Sequence, residues 1–264
     1  MKLWKCTNDD ECHNGLQYHD GLIIDPLPWN PHGSCSPGGI YYADDEHILK
    51  FLGAHSWVRE VTIPDDAKVY AEDSKFKADR VILGKRIAIH DFLTQYIVDH
   101  NGIIGDVDVH GNFDAPALTT AGNVHVHGNF DAPALTTAGD VYVHGKFDAP
   151  ALTTAGNVDV YDNFYAPALT TAGNVDVHLH GNFDAPALTT AGYVSVDVHG
   201  KFDAPALTTA GDVHVYGNFD APALTTAGNV DVDGNFDAPA LTTAGYVSVD
   251  GKFDAPKLHR PVRQ

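Results

Sequence analysis

Phe113, Phe130, Phe147, Phe164, Phe183, Phe202, Phe219, Phe236 and Phe253 recur at steps of 17, 17, 17, 19, 19, 17, 17 and 17 residues. Around each of them nearly the same phrase returns, as in NVHVHGNFDAPALTTAG at 123–139. A period this short cannot hold a helical hairpin, which excludes ankyrin and tetratricopeptide arrays. It suits one coil of a β-solenoid, in which each turn adds about 4.8 Å along the axis by strand pairing. The expected fold is mainly β: a small α+β N-terminal domain followed by a right-handed parallel β-solenoid of about nine turns.

The residues within one coil agree with this. Val124 and Val126 alternate with His125 and His127, so one set faces in and the other out. Phe130, Ala132, Leu135 and Ala138 supply the other apolar positions. Pro133 has no N–H to give a ladder and marks a corner. Gly128 and Gly139 mark two more corners, where a positive φ is expected; Asp162, which replaces the first of these glycines in one coil, tolerates that region. Each 19-residue step adds two residues to the Val-x-Val strand, in NVDVHLHGNF (174–183) and YVSVDVHGKF (193–202). An insertion of two preserves the facing of side chains, so Leu179 and Val198 join the inward set and the wall widens without breaking the stack.

Stacking turns outward positions into columns. One runs Asp114, Asp131, Asp148, Asp184, Asp203, Asp220, Asp237, Asp254, interrupted by Tyr165; it is the candidate interaction ladder. Lys146, Lys201 and Lys252, each two positions before an aspartate, are placed to relieve its repulsion. A second column holds His110, His127, His144, His180 and His199, with His178 beside it, and is broken by Tyr161, Tyr216, Asp233 and Asp250. Both read as solvated faces, so no metal is assigned. Adjacent threonines such as Thr136 and Thr137 cannot share one face of a regular strand, which disfavours ice binding.

Charge is uneven. Residues 1–104 carry 16 acids and 10 Lys/Arg, a net of −6; residues 105–264 carry 19 Asp and 6 Lys/Arg, a net of −13. Such a surface repels nucleic-acid phosphates and favours a protein partner, particularly a basic one. No apolar run approaches a membrane span and no signal peptide is read, so the expectation is a soluble, intracellular protein. Cys6, Cys12 and Cys35 are too few for a disulfide scaffold. Cys6 and Cys12 with His13 or His19 fit no standard zinc spacing, so reduced structural thiols are expected.

Residues 1–84 form the expected α+β domain. Its strands are read at Leu3–Cys6, Gly39–Tyr42, Ser56–Ile63 and Lys68–Ala71, with a helix over Asp45–Leu52 capped by Asp44. KRIAIHDFLTQYIVDHNG (85–102) reads as a helix that Gly102 ends, so residues 85–104 are expected to cap the solenoid of 105–256. Lys257, Arg260, Pro261 and Arg263, in the tail 257–264, discourage further pairing.

Three stretches resemble known families. APALTTAGNVDV is similar to the phrase of leucine-rich-type coils, which implies architecture alone. HNGLQYHDGLIIDPLPWNPHGSCSPGGIYYADDEHILKFL, with VREVTIPDDAKVY and FKADRVILGKR, resembles an uncharacterised N-terminal domain of repeat proteins encoded by giant DNA viruses, with shorter relatives in tailed phages. That resemblance implies a viral repeat protein and brings no activity. GGIYYADDEHILKFL also resembles a segment of ADP-ribosyltransferase-like folds, which would place Tyr41 on a nicotinamide and Glu60 as the catalytic acid; LWKCT puts Lys5 where that family wants histidine. The function expected is a non-enzymatic structural or protein-interaction solenoid anchored by its N-terminal domain, with no cofactor. An ADP-ribosyltransferase-like enzyme and an acidic DNA mimic are the alternatives.

Overall fold

The computed structural model describes residues 2–32, 35–53, 55–178, 182–196 and 202–259. The chain forms two compact units, Met1–Tyr96 with Val107–His110, and Ile97–Asp106 with Gly111–Gln264.

The first unit is built on a seven-stranded antiparallel sheet. Its strands are β1 (Leu3–Thr7), β4 (Gly21–Ile24), β5 (Ile40–Asp44), β6 (Trp57–Thr62), β7 (Val69–Ala71), β8 (Phe76–Ala78) and β9 (Arg80–Ala88), in the order β4-β9-β6-β1-β5-β8-β7. β2 (Cys12–His13) and β3 (Leu16–Gln17) form a separate hairpin. Alternation along the strands sends Ile23, Ile40, Tyr42, Val61, Val81 and Leu83 into one core with Tyr18. On another face Trp4 packs edge-on to Phe92 at 4.9 Å, and its indole N–H donates to Asp45 Oδ1 at 2.7 Å.

Two buried cations tie loops to this sheet. Arg59 Nε and one terminal nitrogen grip both oxygens of Glu11 at 2.7 and 2.9 Å, while the other terminal nitrogen donates to Asp20 Oδ1 and the Gly84 carbonyl, each at 2.6 Å. Lys77 is fully buried. Its ammonium donates to the carbonyls of Asn30, Ser36 and Pro37 and to the Ser36 hydroxyl, tying those residues to β8. A Cβ on Gly39, at φ +138°, would lie 2.8 Å from the Lys77 chain, so only glycine fits beside that staple.

Two helical expectations are corrected here. The helix α1 spans Ile89–Asp99, not 85–102. Arg86, Ile87 and Ala88 extend β9 because they pair with Arg59, Val58 and Trp57. The helix read over Asp45–Leu52 is a single 3-10 turn, Ile48–Phe51. Asp44 belongs to β5, and its carboxylate accepts from the backbone and ring nitrogens of His47 at 3.0 and 2.6 Å instead of capping a longer helix. Helix α1 ends as Gly102 suggests. That residue has φ +78° and its N–H donates to the Ile97 carbonyl at 2.8 Å.

The second unit is a parallel β-solenoid of about eight turns. Eight valine strands, from Val124–Val126 to Val247–Val249, pair in register, each valine on the next. The valine strand of the first copy, Val107–Val109, belongs to the first unit, where it bridges Gly53. A second wall is made of two-residue strands from Phe113–Asp114 to Phe253–Asp254, all Phe-Asp except Phe164–Tyr165. Bridges from Thr120 to Thr243 make a third. Pro133 sits at the corner between the last two, in a turn closed by Leu135 N–H on the Ala132 carbonyl at 3.0 Å.

Every coil sends the same six side chains inward. Val124, Val126, Phe130, Ala132, Leu135 and Ala138 are buried, and so are their described equivalents along the array as far as Val247, beyond which Val249, Phe253 and Leu258 in the terminal coil are half-buried. From Phe130 to Phe253 successive rings stack at 4.9 to 5.5 Å, most within 10–20° of parallel. Burying each ring contributes about 2–3 kcal/mol before any stacking preference. The 19-residue coils leave the register intact on both sides. Val177 pairs with Val196 and Phe183 with Phe202. Leu179 and Val198, in the insertions themselves, lie outside the described residues.

Among the described residues the corner glycines do not have a positive φ. They are required by close approach. Asn112 Oδ1 accepts the Asn129 amide of the next coil at 2.9 Å, and a Cβ on Gly128 would lie 2.6 Å from that oxygen. Gly145 stands in the same relation to Asn129, and Gly139 to Asn123. Asp162 is the informative exception. The coil before it carries Lys146 in place of asparagine, so no amide oxygen lies beneath its Cβ.

Phe164→Ala is expected to destabilise the array by about 3–5 kcal/mol, and Phe253→Ala, half-buried in the terminal coil, by markedly less, as urea unfolding will show. Gly145→Ala should cost about 1–3 kcal/mol. Combining it with Asn129→Lys, which recreates the Lys146–Asp162 arrangement, should recover part of that loss in a double-mutant cycle.

Candidate functional site

The outward columns of the solenoid are the features that repeat at fixed spacing. In the Phe-Asp strands the aspartate follows the buried ring and therefore points out. Asp114, Asp131, Asp148, Asp184, Asp203, Asp220, Asp237 and Asp254 are all exposed or half-buried, and Tyr165 takes the same register position between Asp148 and Asp184. Lys146 Nζ donates to Asp148 Oδ2 at 2.7 Å, and Lys252 lies 4.0 Å from Asp254. Lys201 lies outside the described residues. Desolvation raises the pKa of Asp131, and the charges of Asp148 and Asp114 push it the same way against the opposing effect of Lys146.

The threonine wall is committed to the backbone. Thr136 donates both its N–H and its hydroxyl to the Thr119 carbonyl, at 2.9 and 3.0 Å, and the pattern repeats to Thr242 on Thr225. The first hydroxyl of each pair is thereby spent within the stack.

The valine wall carries the least repetitive outward set. His127, His144, Tyr161 and His178 form one continuous stack, with centroids 4.9, 4.9 and 4.6 Å apart. Tyr161 therefore does not break the histidine column but continues it, because a phenol ring fills the same stacking space as an imidazole. His178 lies in the column, not beside it; its amide donates to Val160 as that of Tyr161 does to Val143. His180 and His199 lie outside the described residues. Alongside run His125, Tyr142, Asp159 and Asp176, paired in register. His178 Nε2 is 3.4 Å from a carboxylate oxygen of each aspartate. Desolvation raises the Asp159 pKa, and His178 opposes that shift. The letters of the sequence hide this aromatic–imidazole patch, because tyrosine and histidine differ in name while their rings stack alike.

Among the described residues His125, His127 and His144 form a group that could hold a metal, with ligand nitrogens within 4.8 Å of one another. Imidazole suits zinc, copper or nickel. A tetrahedral ion bonds nitrogen at about 2.0–2.1 Å, so the parallel rings of His127 and His144 would have to turn towards each other first.

In the first unit Tyr41 and Glu60 do not converge. Tyr41, on β5, lines a cavity; its hydroxyl accepts the Ser36 amide at 3.2 Å, and the ammonium groups of Lys75 and Lys77 lie 4.8 and 5.0 Å from its ring centroid. Glu60 is exposed on β6 and does not line that cavity. Cys6, Cys12 and Cys35 form no disulfide, and burial pushes the Cys6 thiol up to about 12.

Fold and surface together define a β-solenoid repeat protein joined to a small sheet domain. The chain belongs to the family of the uncharacterized protein R869 of Acanthamoeba polyphaga mimivirus, with which it is 34% identical over 124 residues, 44% of this chain and 86% of that one. It is also similar to two putative ankyrin repeat proteins of the same virus. Identity is 36% over 103 residues with R868 and 37% over 105 residues with R229. The chain spans about half of the first (51%) and about a third of the second (34%). No family model and no solved structure matches it. Among the described residues the one α-helix has 11 residues, so the stretch shared with those two relatives is not folded here as ankyrin repeats. Among the described residues no helix is long and apolar enough to cross a membrane.

A carboxyl group whose folded pKa is raised costs stability when ionised, and the cost is relieved as the pH falls through that raised value. Asp131→Asn should therefore stabilise the array at pH 7 in low salt. The gain should shrink towards pH 4 and in 1 M salt, as denaturant midpoints will show. A gain unchanged by acid and salt would assign the effect to something other than charge.

Proposed function

We propose that this is a non-enzymatic protein-interaction solenoid whose outward columns form the binding surface and whose N-terminal unit anchors it. The observation that carries this reading is the contrast between the two sides of each coil. The inward set is the same from coil to coil, while the outward positions of the valine wall change from histidine to tyrosine, aspartate or serine. A purely structural stack has no need of that variety. The rings gather in the coils between His125 and His178, where a partner would meet aromatic and imidazole groups, with acidic columns along the rest of the array. Such a surface favours a partner that is basic around an apolar contact, since charge of one sign steers the opposite sign.

The relatives support a separate role for the first unit. Likenesses over 103 and 127 residues to the putative ankyrin repeat proteins R868 and R896 fit a module shared between different arrays, and the first unit is the part of this chain that would be that module. In that arrangement the module anchors and the array selects.

The test compares affinity capture by the full chain with capture by Tyr142→Asp/Tyr161→Asp. These substitutions borrow the residues found at Asp231 and Asp233, so the fold should persist. A protein retained by the wild type, lost from the variant and released by about 0.5 M salt is the expected result. Identical capture by both would count against this surface.

A further inference from the structure

The central sheet of the first unit is split. β1 pairs with β5 at Leu3↔Asp44 and Trp4↔Ala43. Beyond Trp4, β1 continues beside β6 as far as Thr7↔Trp57, while β5 continues beside β8 as far as Ile40↔Ala78. The two middle strands thus diverge, and a cavity of about 420 Å³ lies there, lined by residues of both, including Lys5, Tyr41 and Tyr42. That volume is in the range of small-molecule sites.

Divergence takes backbone groups out of the ladder. The Tyr41 carbonyl is served by Lys5, whose Nζ donates to it at 3.0 Å. Lys5 is only 8% exposed, and its ammonium sits 4.5 Å from the centre of the Tyr18 ring. Among the described residues no carboxylate pairs with it. Asp25, the one carboxylate in the lining, has its oxygens on the amides of Leu27 and Gly39, at 2.8 and 2.6 Å. Burial lowers the Lys5 pKa to about 8, which leaves it largely charged at neutral pH. The contrast with Lys77 is instructive. That buried ammonium is surrounded by four oxygens, whereas Lys5 has one carbonyl and a ring face. A buried cation without a counter-charge is costly, and an anion entering the cavity removes that cost.

The lining narrows the anion. Trp4, Tyr18, Tyr41, Tyr42 and Phe51 give it aromatic walls, which suit a planar ring system. It contains no arginine; its second cation, Lys75, is 3.5 Å from Glu72. A phosphate dianion would want more donors than this. We propose that the cavity in the β1–β5 split is a binding site for a small aromatic monoanion, a carboxylate or sulfonate, whose charged group is received by Lys5.

Fluorescence titration of the full chain with 8-anilinonaphthalene-1-sulfonate tests this, with neutral N-phenyl-1-naphthylamine as the comparison. One saturable sulfonate site per chain is expected. Lys5→Met should weaken the sulfonate about tenfold or more and the neutral probe by no more than about twofold. Leu27→Trp, at a lining position that is 45% exposed, should obstruct both probes. No saturable site, equal loss of both probes in Lys5→Met, or sulfonate binding untouched by Leu27→Trp would overturn the assignment. If Lys5→Met does not fold, displacement from the wild type decides. 1-Naphthoate should displace the sulfonate about tenfold more effectively than 1-naphthamide. Equal displacement would overturn the proposal.

Discussion

In a parallel stack held in register, each residue meets its own counterpart one coil away. That constraint decides which side chains each position accepts. Phenylalanine on phenylalanine and valine on valine gain from it, because identical shapes nest along the axis. Asparagine gains too, since its amide oxygen reaches the next backbone N–H, as Asn123 reaches Asp140 at 2.8 Å. Aspartate on aspartate loses, and the raised pKa of Asp131 records that together with its desolvation. Glycine at the corners is the steric consequence of the coil beneath, where a Cβ would meet the backbone of the preceding corner and, in most coils, an asparagine or aspartate Oδ1.

The first unit has no such repetition, and its specificity rests on individual buried cations. Arg59 gathers Glu11, Asp20 and the Gly84 carbonyl into one network, and Lys77 collects the carbonyls of a loop. Buried charges are tolerated when their hydrogen-bonding capacity is met. Lys5 stands apart from both, facing a cavity with less around it.

The solenoid was legible because its signal is summed over many copies. Val-x-Val alternation, the proline corner and the inward phenylalanines all follow from period and side-chain facing alone. The role of the glycines was not, because sequence shows a glycine without showing what lies one coil beneath it. Residues 85–88 were misread because Ile87 and Ala88 suit a helix locally, and their pairing with Val58 and Trp57 is a contact across some thirty positions. The aromatic–imidazole patch was hidden by treating His144 and Tyr161 as different letters when they stack as similar rings. Tyr41 could be singled out in the sequence, but the split between β1 and β5 that gives it a cavity could not.

The asparagine ladder also gives the solenoid a direction. Among the described residues the ladder's amide oxygens reach forward, from Asn123 to Asp140 and from Asn157 to Asn174. Within this ladder one rim of a coil presents side-chain acceptors and the opposite rim the amides they receive, whereas the backbone donates to both neighbours, as Val124 does forward to Asp140 and Thr136 backward to Thr119. Because the ladder runs in one sense, a coil completes it only with unlike rims facing, and a coil turned end for end would leave these side-chain oxygens without their amides.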